Sequence, residues 1–304
     1  MIALASGISY IDLQFQDTPR VIATAVLIGP RGVALVDPGP SSSLGTLKGE
    51  LERAGIGMRD VTALLITHIH LDHAGSVGTL VRENPGLRVY VHATGAPHLI
   101  DPGKLLASAT RLYGDAMDRL WGEVAPVPEQ ALVVLQGGER VEEGGRSLEV
   151  AYTPGHASHH VSYFATDAGI AFVGDTAGVK VVPDGDVLPP TPPPDVDLEA
   201  WEESLAHIEQ WRPESIFLTH FGPAGAVASH LSTLRDRLQT AGGLVKASLA
   251  RDGTDEEREA WFVEECRRQL RQRMSDSDAR VYEVAGRFDL SWRGLARYWR
   301  KRAT

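Results

Sequence analysis

Short apolar segments separated by turn-forming residues dominate the first part of the chain. Three such segments, at residues 7–15, 20–28 and 32–36, alternate in part between apolar and polar positions. Alternation with a period of two is typical of β-strands, and the short connections rich in Asp, Pro and Gly favour an antiparallel meander. The chain therefore begins with three predicted strands paired in sequence.

From residue 42 onward, helical and strand-like patterns alternate. The sequence predicts a helix over 42–54, a strand over 61–67, a helix over 74–83 and a strand over 88–92. This alternation is typical of an α/β fold in which buried strands run parallel. Residues 93–127 are predicted to be helical and irregular, and within them Tyr113 and Trp121 are candidates for the wall of a substrate pocket.

Strand patterns return in the middle of the chain and then give way to helices. Further strands are predicted at 132–135, 147–153, 161–165, 170–173 and 215–219, and further helices at 198–211, 226–241, 256–274 and 291–302. The pair Gly242-Gly243 is predicted to end one of these helices. We expect residues 1–225 to form one α/β domain, with residues 226–304 as a helical extension packed on it.

A proline-rich segment, residues 187–195, separates the second group of strands from the helix at 198–211. Proline fixes φ and lacks a backbone N–H, so the segment is predicted to be extended and polyproline-like rather than a sheet strand. It follows Asp175 closely. Both a surface arm near the candidate site and a contact between subunits, as in a homodimer, remain open.

The strand at 61–67 ends in a dense group of possible metal ligands, His68-Ile69-His70-Leu71-Asp72-His73. Imidazole nitrogen and carboxylate oxygen are donors that Zn²⁺, Fe²⁺ and Mn²⁺ accept. Four donors so close together cannot reach one ion without strain. We therefore expect two ions, with His68 and His70 at one and Asp72 and His73 at the other. A solvated polar loop is disfavoured, because the motif arises by chance roughly once in a thousand chains of this length.

Three later strand ends each carry one more metal-compatible residue. His156 follows the Pro154-Gly155 turn, Asp175 follows Gly174, and His220 ends the segment at 215–219. The turn fixes the direction of His156 and favours it as a ligand, and a carboxylate such as Asp175 can bridge two cations. The neighbouring His159 is predicted to support a ligand or face substrate. His160 is predicted to be a core or capping residue.

Three further polar residues near these segments have weaker signals. Asp37 ends the third strand, where it can either hydrogen-bond a metal-binding histidine or stabilise the turn at Pro38-Gly39. Both interpretations remain open. His92 and His98 are isolated histidines, and we expect both to be structural or solvated.

Composition narrows the class of protein. The 304 residues carry a net charge of −10, which argues against nucleic-acid binding because a basic face is needed to neutralise phosphates. The single cysteine, Cys266, excludes an intrachain disulfide and is predicted to be a packing residue. No apolar segment reaches the roughly 20 residues needed to cross a bilayer. We expect a cytoplasmic protein with no membrane association.

Cations are concentrated near the end of the sequence. Residues 287–302 contain several arginines and a lysine, with Asp289 as their one acidic neighbour. A solvated terminal helix is the favoured interpretation, and a binding site for an anionic partner is the alternative. No residue in this part of the sequence distinguishes a solvated helix from a binding site for an anionic partner.

Together these motifs identify a resemblance to a known family. His68-x-His70-x-Asp72-His73, His156 after Pro154-Gly155, Asp175 after Gly174 and His220 within Leu-Thr-His-Phe-Gly resemble the metallo-β-lactamase superfamily of hydrolases, of the glyoxalase-II-like kind, over about residues 7–225. The resemblance implies an α/β (α+β) fold, a four-layer αββα sandwich of two mixed sheets. It also implies one ion on His68, His70 and His156, a second on Asp72, His73 and His220, and Asp175 between them. Zinc is the expected metal, with iron or manganese as alternatives.

The chemistry that the resemblance implies is metal-assisted hydrolysis of a small molecule. Two cations lower the pKa of water to roughly 7, so hydroxide is available at neutral pH to attack an ester, thioester, lactone or related electrophile. Asp72 is expected to act as both ligand and proton carrier. Two alternatives remain: an oxidoreductase of the persulfide-dioxygenase type with one iron, and a hydrolase of the same fold directed at phosphoesters.

Overall fold

Two β-sheets lie face to face in the computed structural model, which describes residues 1–182 and 185–303. The first sheet has seven strands in sequence order: β1 (Ile2–Ala5), β2 (Ile8–Asp12), β3 (Ala23–Gly29), β4 (Gly32–Val36), β5 (Val61–Leu65), β6 (Arg88–His92) and β7 (Leu132–Leu135). Strands β1 to β4 pair antiparallel, with short turns between β1 and β2 and between β3 and β4, whereas β4 to β7 pair parallel. The change follows from the connections, because a parallel pair needs a long crossover and helices supply it.

The second sheet has six strands in the order β13-β12-β11-β10-β9-β8. These strands are β8 (Arg140–Glu143), β9 (Arg146–Tyr152), β10 (Val161–Ala165), β11 (Ile170–Gly174), β12 (Ser215–Leu218) and β13 (Gly222–Ala224). All neighbours are antiparallel except β11 and β12, which are joined by the helix at residues 198–211. Both sheets are therefore mixed, as predicted.

Helices cover the two outer faces. On the first sheet lie α1 (Leu44–Arg53), α2 (Leu71–Ala74), α3 (Val77–Glu83), α4 (Ala96–Ile100), α5 (Gly103–Tyr113) and α6 (Met117–Trp121); on the second lie α7 (Leu198–Trp211) and the first half of α8 (Val227–Leu249). Apolar residues from both sheets, including Leu65, Tyr163 and Phe217, fill the space between them. The expected four-layer αββα sandwich is confirmed.

The C-terminal helices form an additional apolar cluster beside this sandwich. They are α9 (Asp255–Arg271), α10 (Asp276–Gly286) and α11 (Phe288–Arg302), and they pack on the second half of α8 through residues such as Phe262, Tyr282 and Leu295. Val179 and Val196, which lie on either side of the proline-rich segment in the sequence, belong to the same cluster. The helical extension is thus attached to the sandwich through α8 and this segment.

Several predicted elements differ from those observed. Helix α8 continues through Gly242-Gly243 to Leu249, because Gly242 packs closely against α7: a Cβ there would lie 3.2 Å from Leu198 Cδ1, and the Gly242 carbonyl accepts from the Trp299 indole Nε1 at 2.8 Å. Helix α10 and strands β1, β8 and β13 had no predicted counterpart. The strand predicted over 7–15 ends at Asp12, since Gln14 and Gln16 adopt left-handed backbone conformations.

The proline-rich segment lies against the helical extension rather than extending into solvent. Thr191 is fully buried, and its hydroxyl donates to the carbonyl of Ser291 in α11. The segment lies near the candidate site, as one of the two interpretations predicted. A contact between subunits stays a prediction.

None of the helices in the described part of the chain has the length and apolar character that a membrane crossing requires.

Candidate metal centre

The candidate ligands gather where both sheets end. His68 and His70 follow β5, Asp72 and His73 lie in α2, and His156 lies between β9 and β10, while Asp175 follows β11 and His220 follows β12. Two backbone hydrogen bonds join the sheets at this edge: Val161 N–H donates to the Thr67 carbonyl and Ala23 N–H to the Thr219 carbonyl, each at 2.8 Å. The fold thus brings all seven residues to one edge.

Three histidines form the first group. His68 Nε2 and His156 Nε2 each lie 2.9 Å from His70 Nδ1, and ligand atoms of the three residues lie within 4.8 Å of one another. His68 and His156 are almost completely buried. The turn at Gly155 permits this position for His156: its φ is +134°, and a Cβ there would lie 2.4 Å from Trp201 Cα.

Asp72, His73 and His220 form the second group, and Asp175 connects it to the first. His220 Nε2 lies 3.3 Å from Asp72 Oδ2. Asp175 Oδ1 lies 3.3 Å from His73 Nε2, and its other oxygen, Oδ2, lies 3.4 Å from His156 Nε2. One carboxylate therefore presents an oxygen to each group, which is the geometry expected of a bridging residue.

Hydrogen bonds on the outer side of the rings determine which nitrogens lack a proton. His156 Nδ1 donates to the Pro190 carbonyl at 2.8 Å, and His220 Nδ1 donates to the Val21 carbonyl at 2.6 Å. A carbonyl can only accept, so a neutral ring with this partner has a bare Nε2. His73 is fixed in the same way by the carboxylate of Asp37 at 2.8 Å. In their neutral forms these three rings direct the Nε2 lone pair into the site.

Four hydrogen bonds at this edge of the sheets converge on Asp37. Its fully buried carboxylate accepts from Thr67 N–H at 2.8 Å, from the hydroxyls of Thr67 and Thr219 at 2.7 Å each, and from His73. Because the Thr67 proton goes to Asp37, its oxygen is left to accept from His68 Nδ1 at 3.1 Å. Of the two interpretations of Asp37, the structure shows the hydrogen bond to a candidate ligand.

Burial and neighbouring charges shift the pKa values in two directions. Burial lowers the pKa of His68 and His156, and it lowers the pKa of His70 to about 4, with the neighbouring histidines adding to the effect. Burial would also lower the pKa of His73, but the carboxylates of Asp175, Asp37 and Asp72 raise it well above its usual value. The first group is therefore neutral at pH 7, whereas the carboxylates of the second group favour a positive charge at His73 Nε2, either a proton or a bound cation.

Two buried atoms test whether this site suits cations. Among the described residues, His73 Nε2 and Asp175 Oδ1 are buried side-chain atoms without a hydrogen-bond partner, and they lie 3.3 Å apart. Unpaired buried polar atoms are strongly unfavourable unless they bind something. Nitrogen and oxygen donors with lone pairs directed at a common centre fit divalent ions such as Zn²⁺, so the donor set suits the expected metals.

The structure also identifies residues that the sequence assigned poorly. His160 is a buried residue as expected, but it also positions a candidate ligand, because its Nε2 accepts from the backbone N–H of Asp175 at 3.2 Å. His159 is buried and lines the cavity beside the donors, as does His98, which the sequence placed among structural or solvated residues. The Thr-His dipeptide that recurs at 67–68 and 219–220 is the signal that could have revealed the two threonines.

A cavity of about 790 Å³ opens beside the candidate ligands. Tyr113 and Trp121 line it, as predicted, together with Pro190 from the proline-rich segment and residues of α10 and α11. The helical extension therefore covers the site. Two arginines of α11 form ion pairs away from the cavity: Arg293 pairs with Glu259 at 2.7 Å and Arg300 with Asp255 at 2.7 Å. The described contacts thus place these arginines in ion pairs with acidic residues of α9.

Comparison with known proteins agrees with this geometry. The profile of the metallo-beta-lactamase superfamily matches residues 18–220, which is more than half of the chain. A metallo-beta-lactamase fold-containing protein, ST1585 of Sulfurisphaera tokodaii, is 27% identical over 208 residues, covering 67% of this chain and 74% of that protein. The metallo-beta-lactamase family protein TTHA1429 from Thermus thermophilus superposes with a TM-score of 0.74, covering 99% of this chain and 95% of the other at 23% identity.

This chain belongs to the metallo-beta-lactamase superfamily, whose members are generally hydrolytic enzymes. A hydroxyacylglutathione hydrolase of Aeromonas hydrophila is 31% identical over 142 residues, which are 47% of this chain and 41% of that protein. The chain thus matches less than half the length of that hydrolase. TTHA1623, solved in a di-iron-bound form, is similar with a TM-score of 0.54 and 25% identity over 70% of this chain and 93% of the other.

Proposed function

We propose that this protein is a metal-dependent hydrolase that uses two divalent ions to cleave an ester, thioester, lactone or related electrophile in a small molecule. Zinc suits the donors best, and iron or manganese is compatible with them. The observation that carries the proposal is the position of Asp175, whose two oxygens face different groups of histidines with bare nitrogens. A single ion would leave one of these oxygens without a partner.

Each group of residues would hold one ion. His68, His70 and His156 provide three neutral nitrogens for the first, and Asp72, His73 and His220 provide a carboxylate and two nitrogens for the second, with Asp175 shared. When bound, such ions supply Lewis acidity and make water acidic enough to act as a nucleophile at neutral pH. The completeness of the second group favours this function over a persulfide dioxygenase with one iron.

Asp72 is the residue best placed to move a proton. Its side chain is 27% exposed, whereas those of Asp175 and His73 are at most 4% exposed, and it lines the cavity. Burial would raise the pKa of Asp72, but His73 and His220 lower it overall, so the carboxylate is ionised at neutral pH. An ionised carboxylate open to the cavity can accept a proton from the attacking water and pass it to the leaving group.

Metal content together with a panel of substrates tests the proposal. We expect elemental analysis of the purified protein to give about two divalent ions per chain, and the protein stripped with a chelator to lose hydrolysis and regain it with Zn²⁺. The panel should include lactones, thioesters, aryl esters, β-lactams and phosphoesters. A single iron per chain with persulfide-dependent oxygen uptake would contradict the proposal and favour the alternative.

A further inference from the structure

The cavity beside the candidate metal centre extends well beyond the space that two ions and a water molecule need. Its volume of about 790 Å³ lies within the range of roughly 300–1,000 Å³ that is typical of sites for drug-sized ligands. Candidate ligands such as His70 and Asp72 line one part of it, and helices α5 and α10 line another. A substrate could therefore present its reactive group to the donors while the rest of it occupies the space beside these helices.

One face of each helix lines the cavity. In α5 the lining residues include Leu105, Ser108, Ala109 and Leu112, which repeat at the spacing i, i+3, i+4, i+7 of a single helix face. The same spacing holds for the α10 side, at Arg280, Glu283, Val284 and Arg287. The ends of the two helices meet where the Arg287 guanidinium lies 5.3 Å from the centre of the Tyr113 ring.

Aromatic and aliphatic side chains make most of the interior. Phe15 stacks on Trp121 with ring centres 5.7 Å apart, and Tyr113 packs edge-on against Trp121 at 5.0 Å. Leu112 and Leu120 also line this space. Such a surface has no strong partner for a charged ligand, whereas it favours an apolar group removed from water.

The cations on the lining are either paired or exposed. Arg287 makes two hydrogen bonds to Asp289, at 3.0 and 2.8 Å, and Arg119 donates to Gln16 Oε1 at 2.6 Å. Lys104 and Arg280 are exposed to solvent and therefore belong to the rim. Within the described residues, the interior of the cavity thus lacks an unpaired cation that would select an anionic substrate.

We propose that the cavity binds an uncharged apolar arm of the substrate, a medium-length acyl chain attached to the ester or thioester carbonyl that reaches the candidate ligands. This inference rests on the proposed hydrolytic function and specifies its substrate. Hydrolysis breaks the acyl C–O or C–S bond and forms a C–O bond to water. One water proton goes to the leaving alcohol or thiol, and the product acid releases another.

Binding of 2-alkanones to the metal-loaded protein tests the arm without requiring any reaction. These ketones keep a carbonyl and an alkyl chain but have no bond to hydrolyse. Each buried methylene contributes about 0.8 kcal/mol, so we expect the dissociation constant to fall about three- to fourfold for each carbon from 2-butanone to 2-octanone. Isothermal titration calorimetry gives the constants. A dissociation constant independent of chain length would overturn the proposal.

Two variants place the arm in this cavity, and a third serves as their control. Val284→Asp puts a charge on the α10 face, and Ser108→Trp fills space beside α5; each should remove most of the dependence on chain length. Ile100→Asp is the matched control, because Ile100 is 38% exposed and Val284 46% exposed, but Ile100 does not line the cavity. Equal behaviour of Val284→Asp and Ile100→Asp would contradict the assignment.

Ketone binding and ester hydrolysis together distinguish the proposed apolar arm from the proposed hydrolytic function. If ketone binding depends on chain length while the panel of esters and thioesters is not cleaved, the apolar arm stands and the hydrolytic function falls. If aryl esters from acetate to octanoate are all cleaved with the same kcat/KM, and the ketones bind equally, the hydrolase stands and the arm falls.

Discussion

The edge that carries the candidate ligands and the helical wall of the cavity are built in different ways. At the edge, side chains are fixed by directional contacts: four donors converge on Asp37, and the backbone carbonyls of Pro190 and Val21 orient two of the histidines. The wall at α5 and α6 consists mainly of apolar and aromatic side chains that pack together, such as Leu105, Ala109 and Trp121. The difference indicates that the chemistry needs polar groups held in fixed positions, whereas selection of the substrate needs an apolar surface of suitable shape.

The largest effect should follow from removing the residue between the two groups of ligands. In Asp175→Ala, we expect bound metal to fall from about two ions per chain to one or none, because an oxygen is lost from each group. Removal of a residue that merely supports a ligand typically lowers metal affinity or activity by 10- to 100-fold, so hydrolysis should fall by at least about 100-fold. Elemental analysis and kcat/KM on the best substrate are the measurements.

Asp236→Ala is the matched control for this variant. Asp236 lies exposed on α8 and does not line the cavity, so its replacement should leave both ions bound and activity unchanged. Retention of two ions by Asp175→Ala would refute the bridging position, even if activity were lost.

An intermediate effect is expected one contact further from the site. Thr219→Val keeps the shape of a buried side chain but removes the hydroxyl that donates to Asp37 at 2.7 Å. Loss of a hydrogen bond to a charged group should lower the free energy of unfolding of the metal-free protein by about 1.5–3 kcal/mol. Metal affinity, measured by competition with a chelator, should fall about tenfold.

Thr62→Val provides the comparison for this change. The Thr62 hydroxyl donates to the Val33 carbonyl at 3.4 Å, a weak contact within the sheet. We expect little change in unfolding and none in metal affinity. Equal losses in the two variants would show that the threonines contribute only to the sheets and that Asp37 does not depend on Thr219.

The smallest effect is expected from the wall. Leu112→Ala removes part of a half-buried side chain that lines the cavity and should leave about two ions bound. KM for a substrate with a long acyl chain should rise roughly three- to tenfold, with kcat unchanged, because the lost contacts act equally on bound substrate and transition state. Loss of metal from this variant would contradict the claim that the helical wall acts on substrate binding and not on metal binding.

The candidate ligands were recognisable in the sequence because each follows a strong local signal. His68, His156 and Asp175 come directly after an apolar strand or a Pro-Gly or Gly turn, and such signals survive without knowledge of the fold. The residues that hydrogen-bond to the candidate ligands have no such local signal. Asp37 contacts Thr219, which is 182 positions away, and nothing local in the sequence distinguishes this contact from a turn-stabilising role.

The helical part of the fold was predicted less well for a related reason. Helix α10 buries Ala279, Tyr282 and Gly286, and none of these is a large aliphatic residue. Its hydrophobic pattern in the sequence is therefore weak. Gly242-Gly243 predicts a break, although the close approach of Leu198 favours a glycine at position 242 inside α8. In both cases, tertiary contacts outweigh the local preference of the sequence.

The connection between β6 and β7 has a consequence for how such proteins diversify. These strands are hydrogen-bonded neighbours, with Val89 opposite Leu132, and the intervening residues leave the sheet to form α4, α5 and α6 before returning to it. None of the seven candidate ligands lies in this excursion. A replacement of different length or composition could therefore be grafted between β6 and β7, and a new substrate range acquired, while the reactive edge is inherited intact.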